Sequence, residues 1–286
     1  MVNQCFRKGF LFATLISACL VSATSTFAQV EGYEPPRTAG GKPDFNGVWQ
    51  SMGRHNFNIE PHSAQAAMAM REGPFVPVPA KPVVALGAVG SVPASLGIVV
   101  DGKIPYKPEA LKQRDANREN WLTADPEIKC YLPGVPRANY MPYAFQIFHN
   151  DDALFFAYEY AGAVRNILLE DPGETGIESW MGNSWARWEG DTLVIEVSGL
   201  NGQAWLDRAG NYLTYDAKVT ERYTLTGPNT IAYEATIEDE SLFTKPWKIA
   251  YPIYKMTGKD AQLQQFKCVE FVEELMYGHL RKEPLE

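Results

Sequence analysis

The chain has 286 residues, with 26 basic and 34 acidic side chains and a formal net charge of −8. That balance argues against nucleic-acid partners, whose binding is built on Lys and Arg contacts, and the length suits one large domain, alone or with a cap. Four cysteines and four scattered histidines (His55, His62, His149, His279) show no metal-ligand spacing, so neither a metal nor another cofactor is predicted.

The N-terminus reads as an address. Arg7 and Lys8 form a basic n-region, residues 9–20 an apolar h-region, and Ser25-Thr26-Phe27-Ala28 a small-residue cleavage site before Gln29. Residues 1–28 are therefore expected to be a cleaved signal peptide, and 29–286 a single periplasmic or secreted domain. No later run reaches the ~18 apolar residues of a membrane helix, so no integral membrane segment is predicted. Cys5 and Cys19 leave with the leader. Cys130 and Cys268 remain as an even pair in an oxidising compartment, which predicts a disulfide between them. Closing so long a loop contributes ~5 kcal/mol in the chain-entropy view.

Residues 29–54 lead through Lys42-Pro43-Asp44-Phe45-Asn46 into a strand at Gly47-Val48-Trp49. Residues 55–128 then change character, being rich in Pro, Ala and Gly. Two helices are predicted there: 63–71, after the N-cap candidate Ser63, and 108–121, where Pro108 sits at a permitted first-turn position. The long irregular stretch between them, 74–102, reads as part of a lid-like insertion.

From residue 143 onward the hydrophobic period is two. Strands are predicted at 143–148, 153–160, 164–169, 184–188, 192–198, 217–226, 230–238, 247–255 and 262–270. Glu189-Gly190-Asp191 suits a tight hairpin, because Gly190 tolerates φ > 0. Short connections imply an antiparallel meander of about ten strands, which closure into a barrel would free of exposed edges. The expected fold is all-β, an antiparallel barrel with a partly helical capping insertion. A barrel of this size encloses a small-molecule cavity more naturally than a solid core.

An ordered set of motifs carries a resemblance. It runs from Lys42-Pro43-Asp44-Phe45-Asn46-Gly47-Val48-Trp49 through Cys130-Tyr131-Leu132-Pro133-Gly134-Val135-Pro136-Arg137 to Arg187-Trp188-Glu189-Gly190-Asp191-Thr192-Leu193-Val194. Thr220-Glu221-Arg222-Tyr223, Thr236-Ile237-Glu238-Asp239 and Thr244-Lys245-Pro246-Trp247 continue it. Together these resemble a group of secreted bacterial proteins with a lipocalin-like (calycin) barrel. The resemblance implies that fold and no particular reaction. Histidines common in that group, before the Trp-Glu-Gly-Asp hairpin and before Thr-Glu-Arg, are replaced here by Glu170-Asp171-Pro172-Gly173-Glu174 and Gly210-Asn211-Tyr212-Leu213-Thr214.

Several side chains are candidates for chemistry. A three-residue hairpin loop at Ala161-Gly162-Ala163 would set Glu159 opposite Arg165 on an apolar face, either as a structural clamp or as an acid/base and anion-binding pair. Glu221 shares the apolar side of its strand with Val219, Tyr223 and Leu225. It is either a general acid/base of raised pKa or a satisfied barrel carboxylate. His149, closing its strand, is a possible proton shuttle or a turn residue. Gln146, Tyr158, Trp188 and Tyr223 are candidate ligand contacts, and Arg137 either meets a carboxylate ligand or fastens the segment beside Cys130. Nucleophile-elbow, phosphate-loop, dinucleotide and paired-histidine motifs are absent. The leading expectation is a barrel that takes a small apolar or aromatic molecule and performs cofactor-independent lyase or isomerase chemistry. The alternative is a non-catalytic binding or carrier protein.

Overall fold

Residues 30–64, 92–173 and 176–272 are described in the computed structural model of the chain. The expected leader, all but the start of the 63–71 helix and most of the 74–102 stretch lie outside them. Period-two alternation builds β1 (Gly47–Ser51), β2 (Phe145–His149), β3 (Leu154–Tyr158), β4 (Val164–Leu168), β5 (Asn183–Glu189), β6 (Thr192–Ser198), β7 (Lys218–Gly227), β8 (Thr230–Glu238) and β9 (Trp247–Lys255). They close in chain order into one barrel, with β1 pairing antiparallel to β9 through Trp49↔Lys255 to Ser51↔Ile253.

Nine strands cannot alternate direction all the way round a closed ring, so one neighbouring pair must run parallel. That pair is β4–β5, which meets at only two positions, Ile167↔Ser184 and Leu168↔Trp185. All other neighbouring strands are antiparallel. Between Leu168 and Asn183 the chain therefore returns to the end of the barrel at which β4 began. Strand directions also sort the connections by length. Tight turns after β2, β5 and β7 share one end, here the turn end, and Gly190 takes φ 60° in the β5–β6 turn. The long connections after β1, β6 and β8 emerge together at the other, the cap end.

The expected strand at 262–270 does not form. β9 already has β8 on one edge, while β1 and the backbone of residues 98–100 occupy the other, with Val100 N–H donating to Lys248 O and Ala250 N–H to Ile98 O at 2.9 Å each. With no edge left to join, the C-terminal segment instead lies along the outside, where Cys268 is disulfide-bonded to Cys130 and Phe266 packs on Tyr143 and Tyr160.

Inward-facing residues make the core. Tyr223, Tyr233 and Tyr251 hold adjacent register positions on β7, β8 and β9, with ring centroids 4.9 Å apart at each step. Trp49, Phe145 and Phe156 are fully buried beside them. These packed rings fill much of the lumen, and burial of each is worth roughly 2–3 kcal/mol.

The described part of the insertion caps the barrel. Its helices are α1 (Pro108–Glu119) and α2 (Trp121–Ala124), and Pro at the first turn of α1 removes a donor that would have no helical partner. α1 packs against the β6–β7 connection at Gly210, where a Cβ would collide with the backbone of Arg114 and Arg118 and where φ is 85°. Buried Asp207 ties the same connection to the insertion, accepting from Ile59 N at 2.9 Å and from Asn211 N and Nδ2 at 3.1 and 2.7 Å.

Candidate functional site at the capped end

Alternation on β4 and β7 drives two charged side chains inward, and the closed barrel brings them together. Arg165 Nη2 lies 2.6 Å from Glu221 Oε2, with both side chains essentially without solvent contact. Glu221 Oε1 accepts from Asn139 Nδ2 at 2.6 Å, Tyr233 OH at 2.7 Å and Tyr223 OH at 3.0 Å. Asn139 hangs from a 3-10 turn, Arg137–Tyr140, above the lumen, and its Oδ1 accepts from Tyr158 OH at 2.8 Å. Arg165 Nη2 also donates to Ser184 Oγ at 3.0 Å, across the parallel β4–β5 seam.

These groups form a preorganised polar island beneath the cap. Burial works against the Arg165 charge, but the Glu221 carboxylate and the neighbouring tyrosines reverse this and hold the guanidinium above its ordinary value. Burial, reinforced by the Glu221 charge, raises Tyr223 and Tyr233, so both remain hydrogen-bond donors. Burial pushes Tyr158 to about 12. Four donors converge on one carboxylate, so its hydrogen-bonding positions are filled by the protein. Arg165 Nε, by contrast, finds no partner among the described residues.

A cleft of about 600 Å³ reaches this island from outside. It opens between β4 and the 178–182 segment, beside the two positions at which β4 pairs with β5. Leu132, Val164, Trp180 and Met181 give it apolar walls, while Arg165, Asn166, Glu178, Ser179, Ser184 and Asn201 supply polar ones.

Of the residues expected to carry function, the fold gathers Tyr158, Arg165, Glu221 and Tyr223. It does not bring Glu159 opposite Arg165. The β3–β4 register instead pairs Phe156 with Arg165, because the chain leaves β3 at Tyr158 and turns through Ala161 at φ 53°. Glu159 sits at the rim, its Oε2 accepting from Ala144 N at 3.3 Å. Arg137 fastens the cap, making a bidentate pair with Asp125 at 2.9 Å and contacting Glu127, which Arg208 also binds at 2.8 Å. Burial opposes ionisation of Glu127, yet Arg208 and Arg137 hold it below the ordinary carboxylate range. His149 and Trp188 lie at the turn end, their rings 5.6 Å apart, and burial lowers the His149 pKa. Gln146 alternates onto the outer face of β2.

Asn139 and Ser184 are the functional candidates that sequence reasoning did not single out. Ser184 lies on the inward phase of β5, a signal available from alternation. Asn139 belongs to an irregular segment, and no local pattern points it into the barrel.

The chain matches no family model, no curated protein and no solved structure. Fold and site define its class: a mostly antiparallel, closed nine-stranded β-barrel consistent with the calycin type, bearing a capping insertion and compatible with small-molecule binding. Among the described residues no helix is long and apolar enough to cross a membrane, and no cluster of three or more His, Cys, Asp or Glu side chains is placed to hold a metal.

Proposed function

We propose that this is an exported, calycin-type binding protein that takes a small apolar or aromatic molecule into the β4–β5 cleft. The observation that carries the reading is the position of Arg165 and Ser184. They bond to each other across the seam, line the cleft and belong to the island centred on Glu221. A ligand lying on the apolar walls meets a fixed polar floor, the arrangement expected of specific small-molecule pockets. The leader pattern and the Cys130–Cys268 bond support export. Binding is favoured over lyase or isomerase chemistry because Glu221 already accepts four hydrogen bonds, and Glu159 and His149 stand apart from it.

Mass spectrometry of small molecules that co-purify with the mature protein tests this reading. An apolar or aromatic compound should be retained by the wild type, recovered chemically unchanged after incubation, and lost from Asn166→Trp, whose indole fills the cleft mouth. Retention by Asn166→Trp would move the site elsewhere. Conversion of the compound by the wild type, abolished in Glu221→Gln, would establish the catalytic reading instead.

A further inference from the structure

A second depression, of about 510 Å³, lies on the outside of the cap between α1, the segment near residue 130 and the β6–β7 connection. Its chemistry contrasts with the acidic chain around it. Gln113, Asn117 and Gln203 contribute amides, Tyr131 and Trp180 contribute rings, Lys129 is the one charged side chain, and no carboxylate lines it among the described residues.

The parts are ordered. Gln113 and Asn117 stand one helical turn apart on one side of α1, and Gln113 Nε2 donates to Asn117 Oδ1 at 2.9 Å. Tyr131 and Trp180 stack with 9° between their planes and 5.0 Å between centroids. Tyr131 remains 50% exposed, so part of its ring is open to a ligand.

Amides both donate and accept, so a partner with many hydroxyls satisfies them from either direction. Gln113 and Asn117 already bond to each other and Asn117 Nδ2 to Gly210 O, so a flat hydrocarbon would leave unused their remaining capacity and the Gln203 amide, and an anion would find a single lysine. A pyranose ring suits all three features: its C–H face packs on an aromatic ring, its hydroxyls exchange hydrogen bonds with amides, and it brings no charge. The volume lies within the ordinary range for ligand sites and admits a disaccharide.

We infer that this groove is a carbohydrate-binding site for neutral pyranose sugars. It shares only Trp180 with the β4–β5 cleft and stands independently of it.

Maltose, cellobiose and N,N′-diacetylchitobiose, each titrated into the full mature chain, provide the probes. Saturation-transfer NMR and tryptophan fluorescence read the binding. At least one sugar should bind saturably at concentrations up to the order of 10 mM, with Kd raised about tenfold by Tyr131→Ala and about threefold by Gln203→Ala. Asn166→Trp, which blocks the separate cleft, should bind sugar as the wild type does. Gln203 lies in an exposed loop, so its variant keeps the test open should Tyr131→Ala fold poorly. The inference is overturned if none of the three sugars gives saturable binding, or if a bound sugar ignores both groove substitutions.

Discussion

At the turn end of the barrel the lumen is closed by Phe45 and Trp188, their ring centroids 6.1 Å apart. Two hydrogen bonds between Asn46 and the His149 backbone and an exposed Arg37–Asp191 pair complete the closure. At the cap end the strands bury Arg165 and Glu221, and the cap and connections above them bury Arg137, Asp125 and Asp207. Charge needs no burial to close a barrel, as the turn end demonstrates. Buried ion pairs contribute little net stability over well-packed apolar groups. Concentrating them at one end marks that end as the place where a precise polar arrangement matters, and it is also where the seam opens.

This contrast can be broken by mutation. Arg165→Met leaves the Glu221 carboxylate buried without its ion partner and should cost about 3–5 kcal/mol in urea denaturation. Arg165→Met with Glu221→Leu should recover most of that loss, whereas simple additivity would deny that the two act as one unit. Removal of the Cys130–Cys268 bridge by paired serine substitutions should cost about 2–5 kcal/mol, and free-thiol labelling would verify the bond in the wild type.

Acidity sharpens the same comparison. Burial raises the Asp207 carboxyl from 3.8 to about 6, against the hydrogen bonds from Asn211 and Ile59. The folded chain thus holds this proton more tightly than the unfolded chain. Its contribution favours folding fully below about pH 4 and is lost as pH rises to about 6, an effect of about 3 kcal/mol. Asp207→Asn should flatten that part of the stability profile, and an unchanged profile would contradict the assignment. At the turn end the effects should be smallest. Arg37→Ala should leave the denaturation midpoint within error, because both partners are solvated.

The strands at 192–198, 230–238 and 247–255 could be read from alternation and turn residues alone, because one face of each meets the lumen. Glu221 and Arg165 could be placed on inward faces by the same logic. Their partnership could not, since it spans the lumen between β4 and β7 and no turn joins those strands. Hairpin reasoning paired Arg165 with Glu159 instead, three residues away from its true opposite, Phe156. Gly162 and its flanking alanines suggest a short loop, and only the conformation at Ala161 reveals the wider turn. Asn139 and the parallel seam lay further out of reach. One depends on a cap folded back over the barrel, the other on the parity of a strand count that the strand expected at 262–270 inflates.

The most direct test of the central claim observes Arg165 itself. Its Nε–H is buried and lacks a partner among the described residues, so its arginine side-chain NMR signal, assigned by its loss in Arg165→Met, reports on the seam. The co-purifying molecule, released by denaturation and titrated back into stripped protein, should shift that signal saturably in the wild type and leave it unmoved in Asn166→Trp. A ligand that binds the wild type while the Arg165 signal stays fixed would contradict the placement of the site at the capped end.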